Sequence, residues 1–274
     1  MTETAESEAE REHWRRLLSG EDSALNVPGK RFFRTIPSPP RCKMCNVPFA
    51  GPGGVVFRQL GFGRWSKNPR FCEQCHKTLA KLRIGGAEVI ISAVFADVRG
   101  STTIAEHMRP LDFRALIDRF YQQATPPILD ADGLLDKFLG DGVLGLFIPV
   151  WAGLQHAARA IDAAREILRA TGNVPGRTAE APVGVGVDTG VAYVGVVGEE
   201  GEATDFTALG DPLNTAARLA AAAGAGEVLA SAGALDAAGL SASVREWREL
   251  DLKGKAEPVR AGVLGAAGQS GTDT

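Results

Sequence analysis

The fifteen residues from Val89 to Thr103, which read VIISAVFADVRGSTT, constrain the fold more than any other stretch of the chain. An apolar, β-branched run of this length bounded by glycines predicts a strand that is buried on both faces. Its one carboxylate, Asp97, lies at the carboxyl end, and Gly100 then leads into Ser101 to Thr103, which are candidate helix caps. Because ligands of α/β folds bind beyond strand ends, Asp97 is either a helix cap or half of a ligand site.

Length and charge restrict the class of protein. The 274 residues suffice for one large or two small domains, and 45% hydrophobic with 23% charged residues is ordinary globular composition. The net charge of −3 and the lack of a long basic stripe argue against nucleic acid as a partner. The acidic amino terminus lacks an apolar signal core, and no apolar run reaches the eighteen or so residues of a membrane span. The sequence therefore predicts a cytoplasmic protein without a membrane segment.

All four cysteines belong to two C-x-x-C pairs, and none is left over. In a reducing cytosol such pairs more often hold a metal than form disulfides, and two pairs supply the four thiolates of a tetrahedral zinc site. Structural zinc is therefore favoured over an iron–sulfur cluster and over a reversible dithiol, which remain the alternatives. The predicted ligands are Cys42, Cys45, Cys72 and Cys75.

The chain is predicted to contain four segments. Residues 1–35 form an acidic, partly helical segment, and residues 36–84 form a small metal-binding module. A larger domain follows over residues 85–266, and residues 267–274 are a Gly/Ser/Thr-rich tail that should be disordered. Four prolines within residues 27–41 predict a linker or an extended arm.

The larger domain alternates strands and helices after the organising strand. In order, its predicted elements are a helix from Ser101 that Pro110 breaks or restarts, an amphipathic helix interrupted at Pro126 and Pro127, a hairpin turning at Gly140 to Gly142, a helix over 151–170, a pair of strands over 182–198, a helix over 211–223, and short strands with one more helix. Alternation of this kind predicts a ferredoxin-like α+β fold, with an antiparallel sheet and helices on one face.

The predicted hairpin supplies a second carboxylate, Asp141. In a ferredoxin-like sheet the first strand and the hairpin are neighbours at the centre of the sheet, so Asp97 and Asp141 would lie together at one edge of a cleft. Two adjacent carboxylates repel each other unless cations lie between them, and a pair of divalent ions can stabilise both the attacking and the leaving oxygen of a phosphoryl displacement. Taken alone, an isolated Gly-Asp-Gly favours an ordinary turn aspartate at Asp141.

Three motifs extend this pattern in a specific order. Phe95 to Ser101 reads FADVRGS, Lys137 to Asp141 reads KFLGD, and Thr207 to Arg218 reads TALGDPLNTAAR. Together they resemble the class III nucleotidyl cyclases, which are the adenylyl and guanylyl cyclase family, over about residues 88 to 265. The resemblance implies an adenylate cyclase that converts ATP to 3′,5′-cyclic AMP and pyrophosphate, in the bacterial subclass with Thr at the second base-selecting position.

The resemblance also assigns roles to individual residues. The two carboxylates, with a backbone carbonyl, imply a site for two Mg²⁺ or Mn²⁺ ions. The implied roles are metal binding by Asp97, Asp141 and the Val98 carbonyl, base selection by Lys137 and Thr207, ribose orientation by Asn214, transition-state stabilisation by Arg218, and triphosphate binding by Lys253, with Lys255 less favoured. In this family the metal-binding and transition-state residues face each other across a dimer interface, so a homodimer with two equivalent sites is implied.

Two other functions stay open. A guanylyl cyclase is disfavoured by Lys137, because guanylyl cyclases resemble one another in having Glu at that position. Thr207, where many adenylyl cyclases have Asp, leaves the choice of base less certain. The second alternative is a weakly active cyclase-like sensor that signals through its cysteine module, although no regulatory signal follows from the sequence.

Overall fold

The computed structural model describes residues 11–20, 30–36, 40–42, 45–66, 68–75, 77, 86–197 and 205–266. The predictions for residues 1–10 and for the tail 267–274 lie outside these residues. The chain divides into two compact units, Met1–Glu88 with Tyr193–Thr207, and Val89–Ala192 with Ala208–Thr274. The boundaries between the four predicted segments stay predictions.

The first unit contains short elements around the cysteines. Its buried apolar side chains include Trp14, Leu17 and Leu18, which lie on or at the end of a helix within the segment predicted to be partly helical. The elements are a helix over 11–18 (α1), α2 (Lys30–Thr35), α3 (Gly51–Gln59), the antiparallel strands β1 (Arg64–Trp65) and β2 (Asn68–Cys72), and a helical turn over 73–75 (α4).

Helix α2 corrects the prediction of a linker over residues 27–41. The prolines flank this helix rather than lie in it. Arg41 donates from Nη1 to the carbonyl oxygen of Phe33 over 2.6 Å, which supplies a partner for the end of the helix. The ring of Phe33 meets that of Phe57 edge to face at 5.1 Å. Tertiary contacts therefore stabilise a helix that local sequence disfavours.

The second unit holds most of a twisted sheet in the order β4-β5-β3-β6-β8-β10-β9, with β7 paired to β6. The β6–β8 pair is parallel, whereas β5 pairs antiparallel with both β3 and β4, and β10 with both β8 and β9. This confirms the predicted α+β class. The elements, some of which extend into the first unit, are β3 (Gly86–Val98), α5 (Ser101–His107), α6 (Pro110–Asp130), β4 (Leu134–Leu139), β5 (Gly142–Phe147), α7 (Pro149–Ala152), α8 (His156–Ala170), β6 (Val183–Val197), β7 (Asp205–Leu209), α9 (Asp211–Ala222), β8 (Val228–Ser231), α10 (Ala232–Ala237), a 3₁₀ turn (Ser241–Ser243), β9 (Glu246–Leu250) and β10 (Val259–Leu264).

The core of the second unit lies between the sheet and the helices α6 and α8, which contact each other. Phe120 of α6, Phe147 of β5 and Ile161 of α8 are among its fully buried large side chains. Among the residues described, no helix has the length and apolar character needed to cross a membrane.

Three helix predictions differ from the structure. Helix α6 continues to Asp130 through Pro126 and Pro127, because Pro127 and the next residues pack into the core and offset the lost hydrogen bonds. The predicted helix over 151–170 is two helices, α7 and α8, separated at Gly153, whose φ is +74°. Gly100 rather than a Ser or Thr side chain occupies the N-cap of α5.

Strand β6 is continuous, whereas two strands were predicted over residues 182–198. The polar residues at its middle find partners on neighbouring elements instead of turning the chain. Ser231 donates to Asp188, and the hydroxyls of Ser92 and Thr189 lie 2.7 Å apart. Buried polar groups that are satisfied in this way are compatible with a central strand.

Candidate functional site

The structure brings Asp97 and Asp141 together at one edge of the sheet. Strand β3 pairs antiparallel with β5, and Asp97 lies opposite Gly142. One residue further on, the backbone N–H of Val98 donates to the carbonyl oxygen of Asp141 over 3.1 Å. The end of β3 and the tip of the β4–β5 hairpin are thus fixed side by side by backbone hydrogen bonds, so neither carboxylate depends on a flexible loop for its position.

The two carboxylates interact electrostatically. The pKa of Asp97 is raised to about 6, first by burial and then by the nearby charge of Asp141, while the Arg99 guanidinium acts in the opposite direction. The Nη2 atom of Arg99 lies 3.7 Å from Oδ2 of Asp97. A half-buried pair of carboxylates that repel each other is a donor set suited to a hard divalent cation. The residues present therefore fit Mg²⁺ or Mn²⁺.

Replacement of Asp97 by Asn should stabilise the metal-free protein at neutral pH. Because the folded-state pKa lies above the ordinary value of 3.8, the ionised carboxylate opposes folding above about pH 6, and this cost disappears as the pH falls toward 4. Asp97→Asn should thus raise the free energy of unfolding by about 1 to 2 kcal/mol at pH 8 and change it little at pH 4.5. Urea unfolding in the presence of a chelator measures both values.

The exposed residue Asp162 on α8 provides the control, because Asp162→Asn should change the free energy of unfolding by less than about 0.5 kcal/mol at either pH. Added Mn²⁺ should stabilise the wild-type protein and not the Asp97→Asn variant. A gain for Asp97→Asn that is equal at pH 8 and pH 4.5 would show that carboxylate repulsion is not its cause.

Tyr121 on α6 braces the hairpin tip that carries Asp141. Its hydroxyl donates to the carbonyl oxygen of Gly140. Its ring stacks on Phe138 with centroids 4.1 Å apart and the planes at 29°. The pKa of Tyr121 is raised by burial and then by the nearby charges of Asp141 and Asp118. The sequence motifs did not indicate this contact, because nineteen residues separate its partners.

Tyr121→Phe should keep the stacked ring and lose only the hydrogen bond to Gly140. We expect a loss of about 1 kcal/mol in the free energy of unfolding. We also expect Mn²⁺ binding to weaken several-fold, since the hairpin tip is less firmly held. Denaturant unfolding and Mn²⁺ titration check these values. The other tyrosine of the chain, Tyr193 on β6, gives the matched control, and an equal effect of Tyr193→Phe on Mn²⁺ binding would contradict a specific role for Tyr121.

Helix α9 presents the other predicted pair of site residues. Asn214 is exposed, with its Nδ2 3.4 Å from the carbonyl oxygen of Gly210, and the half-buried Arg218 lies four residues later on the same face. A Cβ atom added at Gly254, whose φ is +78°, would lie 3.2 Å from Nη2 of Arg218. The absence of a side chain at Gly254 therefore lets the 253–255 loop pass close to the guanidinium.

The two candidate triphosphate lysines have different surroundings. Lys255 forms an ion pair with Asp211 at the start of α9, whereas Lys253 is exposed. Both flank Gly254 and thus lie beside Arg218. The exposure of its side chain makes Lys253 better suited than Lys255 to contact a ligand outside the chain.

The two candidate base-selecting residues fall in different units. Lys137 on β4 places its Nζ 3.3 Å from Oδ2 of the buried Asp136. Thr207 on β7 is 4% exposed, and its Oγ1 is buried without a hydrogen-bond partner among the residues that the structure describes. A buried hydroxyl of this kind is costly unless something else satisfies it, so Thr207 retains a donor and an acceptor for a ligand.

The four cysteine sulfurs converge in the first unit. All four residues are buried, and their Sγ atoms lie within 4.8 Å of one another. The Sγ atoms of Cys42 and Cys75 are 3.9 Å apart, and those of Cys45 and Cys72 are 3.6 Å apart. The backbone N–H of Cys72 also points at the Cys42 sulfur over 3.3 Å, an interaction that favours a thiolate.

These distances fit a single tetrahedral ion. With Zn–S bonds of about 2.3 Å, the sulfur atoms at the corners of a tetrahedron lie about 3.8 Å apart. An iron–sulfur cluster distributes its cysteines over several iron atoms and holds the sulfurs further apart. The cysteines of this chain therefore match one metal ion better than a cluster.

Comparison with known proteins places this geometry in a family. The chain matches the adenylate and guanylate cyclase catalytic domain over residues 88–263. It is 34% identical over 184 residues to an uncharacterized protein of Mycobacterium tuberculosis, a match that covers 65% of this chain and 33% of that protein. The match thus spans about a third of the length of this mycobacterial relative.

Two solved structures share the fold at 27% sequence identity. The guanylyl cyclase Cya2 has a TM-score of 0.60, with 69% of this chain and 98% of that chain covered. The adenylyl cyclase CyaB from P. aeruginosa has a TM-score of 0.54, with 65% and 94% covered. The matched region contains the paired carboxylates, the hairpin and helix α9. This chain belongs to the adenylate and guanylate cyclase catalytic domain family.

Proposed function

We propose that this protein is an adenylyl cyclase that converts ATP to 3′,5′-cyclic AMP and pyrophosphate in a homodimer with two equivalent sites. The observation that carries the proposal is the pairing of Asp97 with Asp141 at the sheet edge of a cyclase-family domain. Asn214 and Arg218 on one face of α9 supply the other half of a site. Because one chain carries both halves, two copies complete two sites.

The carboxylates of Asp97 and Asp141, with the backbone carbonyl of Val98, would hold two divalent ions. Such ions, when bound, favour ionisation of the ribose 3′-hydroxyl and neutralise the triphosphate. Tyr121 binds the Gly140 carbonyl and so helps to hold the hairpin tip that carries Asp141.

The residues of α9 act on the substrate itself. The exposed amide of Asn214 can hold the ribose in one orientation, which favours in-line attack on the α-phosphorus. The Arg218 guanidinium offsets the negative charge that grows on the α-phosphate in the transition state. Lys253, on the loop beside Arg218, can contact the β- and γ-phosphates of the triphosphate.

Base selection rests on Lys137 and Thr207. The ammonium of Lys137 is a donor suited to the ring nitrogen acceptors of adenine. The hydroxyl of Thr207, which has no hydrogen-bond partner among the described residues, can pair with the adenine edge. Similarity itself favours neither base, because the adenylyl cyclase CyaB and the guanylyl cyclase Cya2 are both 27% identical to this chain. A guanylyl cyclase is therefore the second candidate.

Purified protein incubated with ATP or GTP, and with Mg²⁺ or Mn²⁺, tests the proposal. We expect cyclic AMP with ATP and at least about tenfold less cyclic GTP with GTP. Lys137→Glu should lower the rate with ATP far more than the rate with GTP. No cyclic AMP with either metal would reject the adenylyl cyclase, and faster cyclic GTP formation would favour the second candidate.

We also propose that the four cysteines hold one structural zinc ion. The support is the spacing of the sulfur atoms and the burial of all four residues. Zinc at such a site would link residues far apart in the sequence and so stabilise the small first unit. Cytoplasmic placement of the protein stays a prediction.

A further inference from the structure

Arg99 directly follows strand β3, and its side chain contacts both Asp97 and the end of helix α9. Its backbone N–H donates to the carbonyl oxygen of Pro182 over 2.7 Å, which fixes the residue at the end of β3. Its Nη2 atom lies 3.7 Å from Oδ2 of Asp97. The side chain is only 26% exposed, so this charge pair is partly shielded from water.

The other guanidinium nitrogen binds the end of helix α9. Nη1 of Arg99 donates to the carbonyl oxygens of Ala220 and Ala221, both over 2.6 Å. The last carbonyls of a helix lack partners within it and carry the negative end of its dipole. The last turn of α9 contains no basic residue, so Arg99 supplies the cation from a different element.

Gly184 on β6 makes room for this side chain. A Cβ atom at that position would lie 2.9 Å from Cδ of Arg99 and 3.1 Å from the Cβ of Ala223. Any larger residue would displace the arginine stem or the end of α9. The contact between the Arg99 side chain and the end of α9 therefore requires a glycine at position 184.

We propose that Arg99 is a positioning residue that couples the metal-binding carboxylate of Asp97 to helix α9, which carries Asn214 and Arg218. The inference rests on the proposed cyclase function. In the homodimer, Asp97 and Arg218 of one chain serve different active sites. Arg99 then connects the metal half of one site to the transition-state half of the other.

The two contacts predict opposite effects when Arg99 is removed. Its charge competes with divalent ions for Asp97, so its loss should tighten metal binding. Its hydrogen bonds hold the end of α9, so its loss should shift Arg218 and slow turnover. A residue with a merely structural role would weaken metal binding and turnover together.

Arg99→Met keeps an unbranched apolar stem and removes the guanidinium group, with its charge and donors. We expect the Mn²⁺ dissociation constant, measured by calorimetry, to fall roughly three- to fivefold. Amide exchange of residues 219–223 should accelerate, and kcat for cyclic nucleotide formation should fall about tenfold. Arg114→Met is the matched control, because Arg114 is an exposed arginine on α6 paired with Asp118, and none of the three quantities should change.

Mixed dimers can separate the two effects. A dimer of an Arg218→Ala chain with an Asp97→Ala chain has one complete site, whose metal half comes from the Arg218→Ala chain. Arg99→Met in that chain should change the Mn²⁺ dependence of activity, whereas Arg99→Met in the Asp97→Ala chain should lower kcat. Both effects arising from the same chain would overturn the proposal.

Two of the measurements do not depend on activity. If the wild-type protein forms no cyclic nucleotide, the proposed function fails, and Mn²⁺ binding and amide exchange still decide on Arg99. Tighter Mn²⁺ binding together with faster exchange of residues 219–223 in Arg99→Met supports the coupling. A change in only one of the two, or in neither, overturns it.

Discussion

Chains carrying Asp97→Ala and chains carrying Arg218→Ala should each lose cyclase activity at least about a hundredfold, and should regain it when they are mixed. In the proposed homodimer, each variant removes one half of both sites. A mixed dimer, however, keeps one site with intact metal ligands from one chain and an intact α9 from the other. If subunits exchange at random, half of the dimers are mixed, and each mixed dimer has one complete site of two. Activity should therefore recover to roughly a quarter of the wild-type value.

The control for this experiment is a mixture of Asp97→Ala with Asp141→Ala. Both variants lack the metal half, so no mixed dimer contains a complete site, and the rate should stay at the level of the single variants. Cyclic AMP formation is the readout, and sedimentation checks that dimers form. Recovery in the control mixture, or none with Asp97→Ala and Arg218→Ala, would contradict sites shared between two chains.

The paired carboxylates could be predicted because local patterns determine their positions. A buried strand that ends at Asp97 and a Gly-Asp-Gly turn between two apolar runs each specify a short element. Once a ferredoxin-like order is assumed, the two elements are neighbours. The same holds for Asn214 and Arg218, since residues four apart share a helix face whatever the rest of the fold does.

The supporting contacts could not be predicted, because each depends on residues far apart in the sequence. Arg99 reaches carbonyl oxygens 121 and 122 residues away, and nothing in the motif around it indicates where its side chain goes. Likewise, a turn at Gly190 is reasonable from its neighbours alone. In the structure the strand continues through Gly190. A Cβ atom at this position would lie 3.1 Å from the ring of Pro212, so the glycine lets the strand pass close to the start of α9.

The cysteines differ from both cases, since their spacing predicted four candidate ligands and favoured one zinc ion, with an iron–sulfur cluster and a reversible dithiol as alternatives. The distances between sulfur atoms favour one ion, so the purified protein should contain about one zinc per chain and should be colourless. Cys42→Ser should lower the zinc affinity at least about a hundredfold and remove the amide protection of α3, because structural zinc contributes on the order of 10 kcal/mol to the folding of small modules. Metal analysis and hydrogen exchange measure these effects.

Val47→Ala is the matched control, since Val47 is buried in the same unit and is not a ligand. It should lower stability by about 1 to 2 kcal/mol and retain the full zinc content. Cys75→His should also keep zinc, because three thiolates and one imidazole form a common zinc site. A brown protein that contains iron would show that the four cysteines hold iron and not zinc. Full zinc content in Cys42→Ser would mean that the four sulfurs do not bind one ion together.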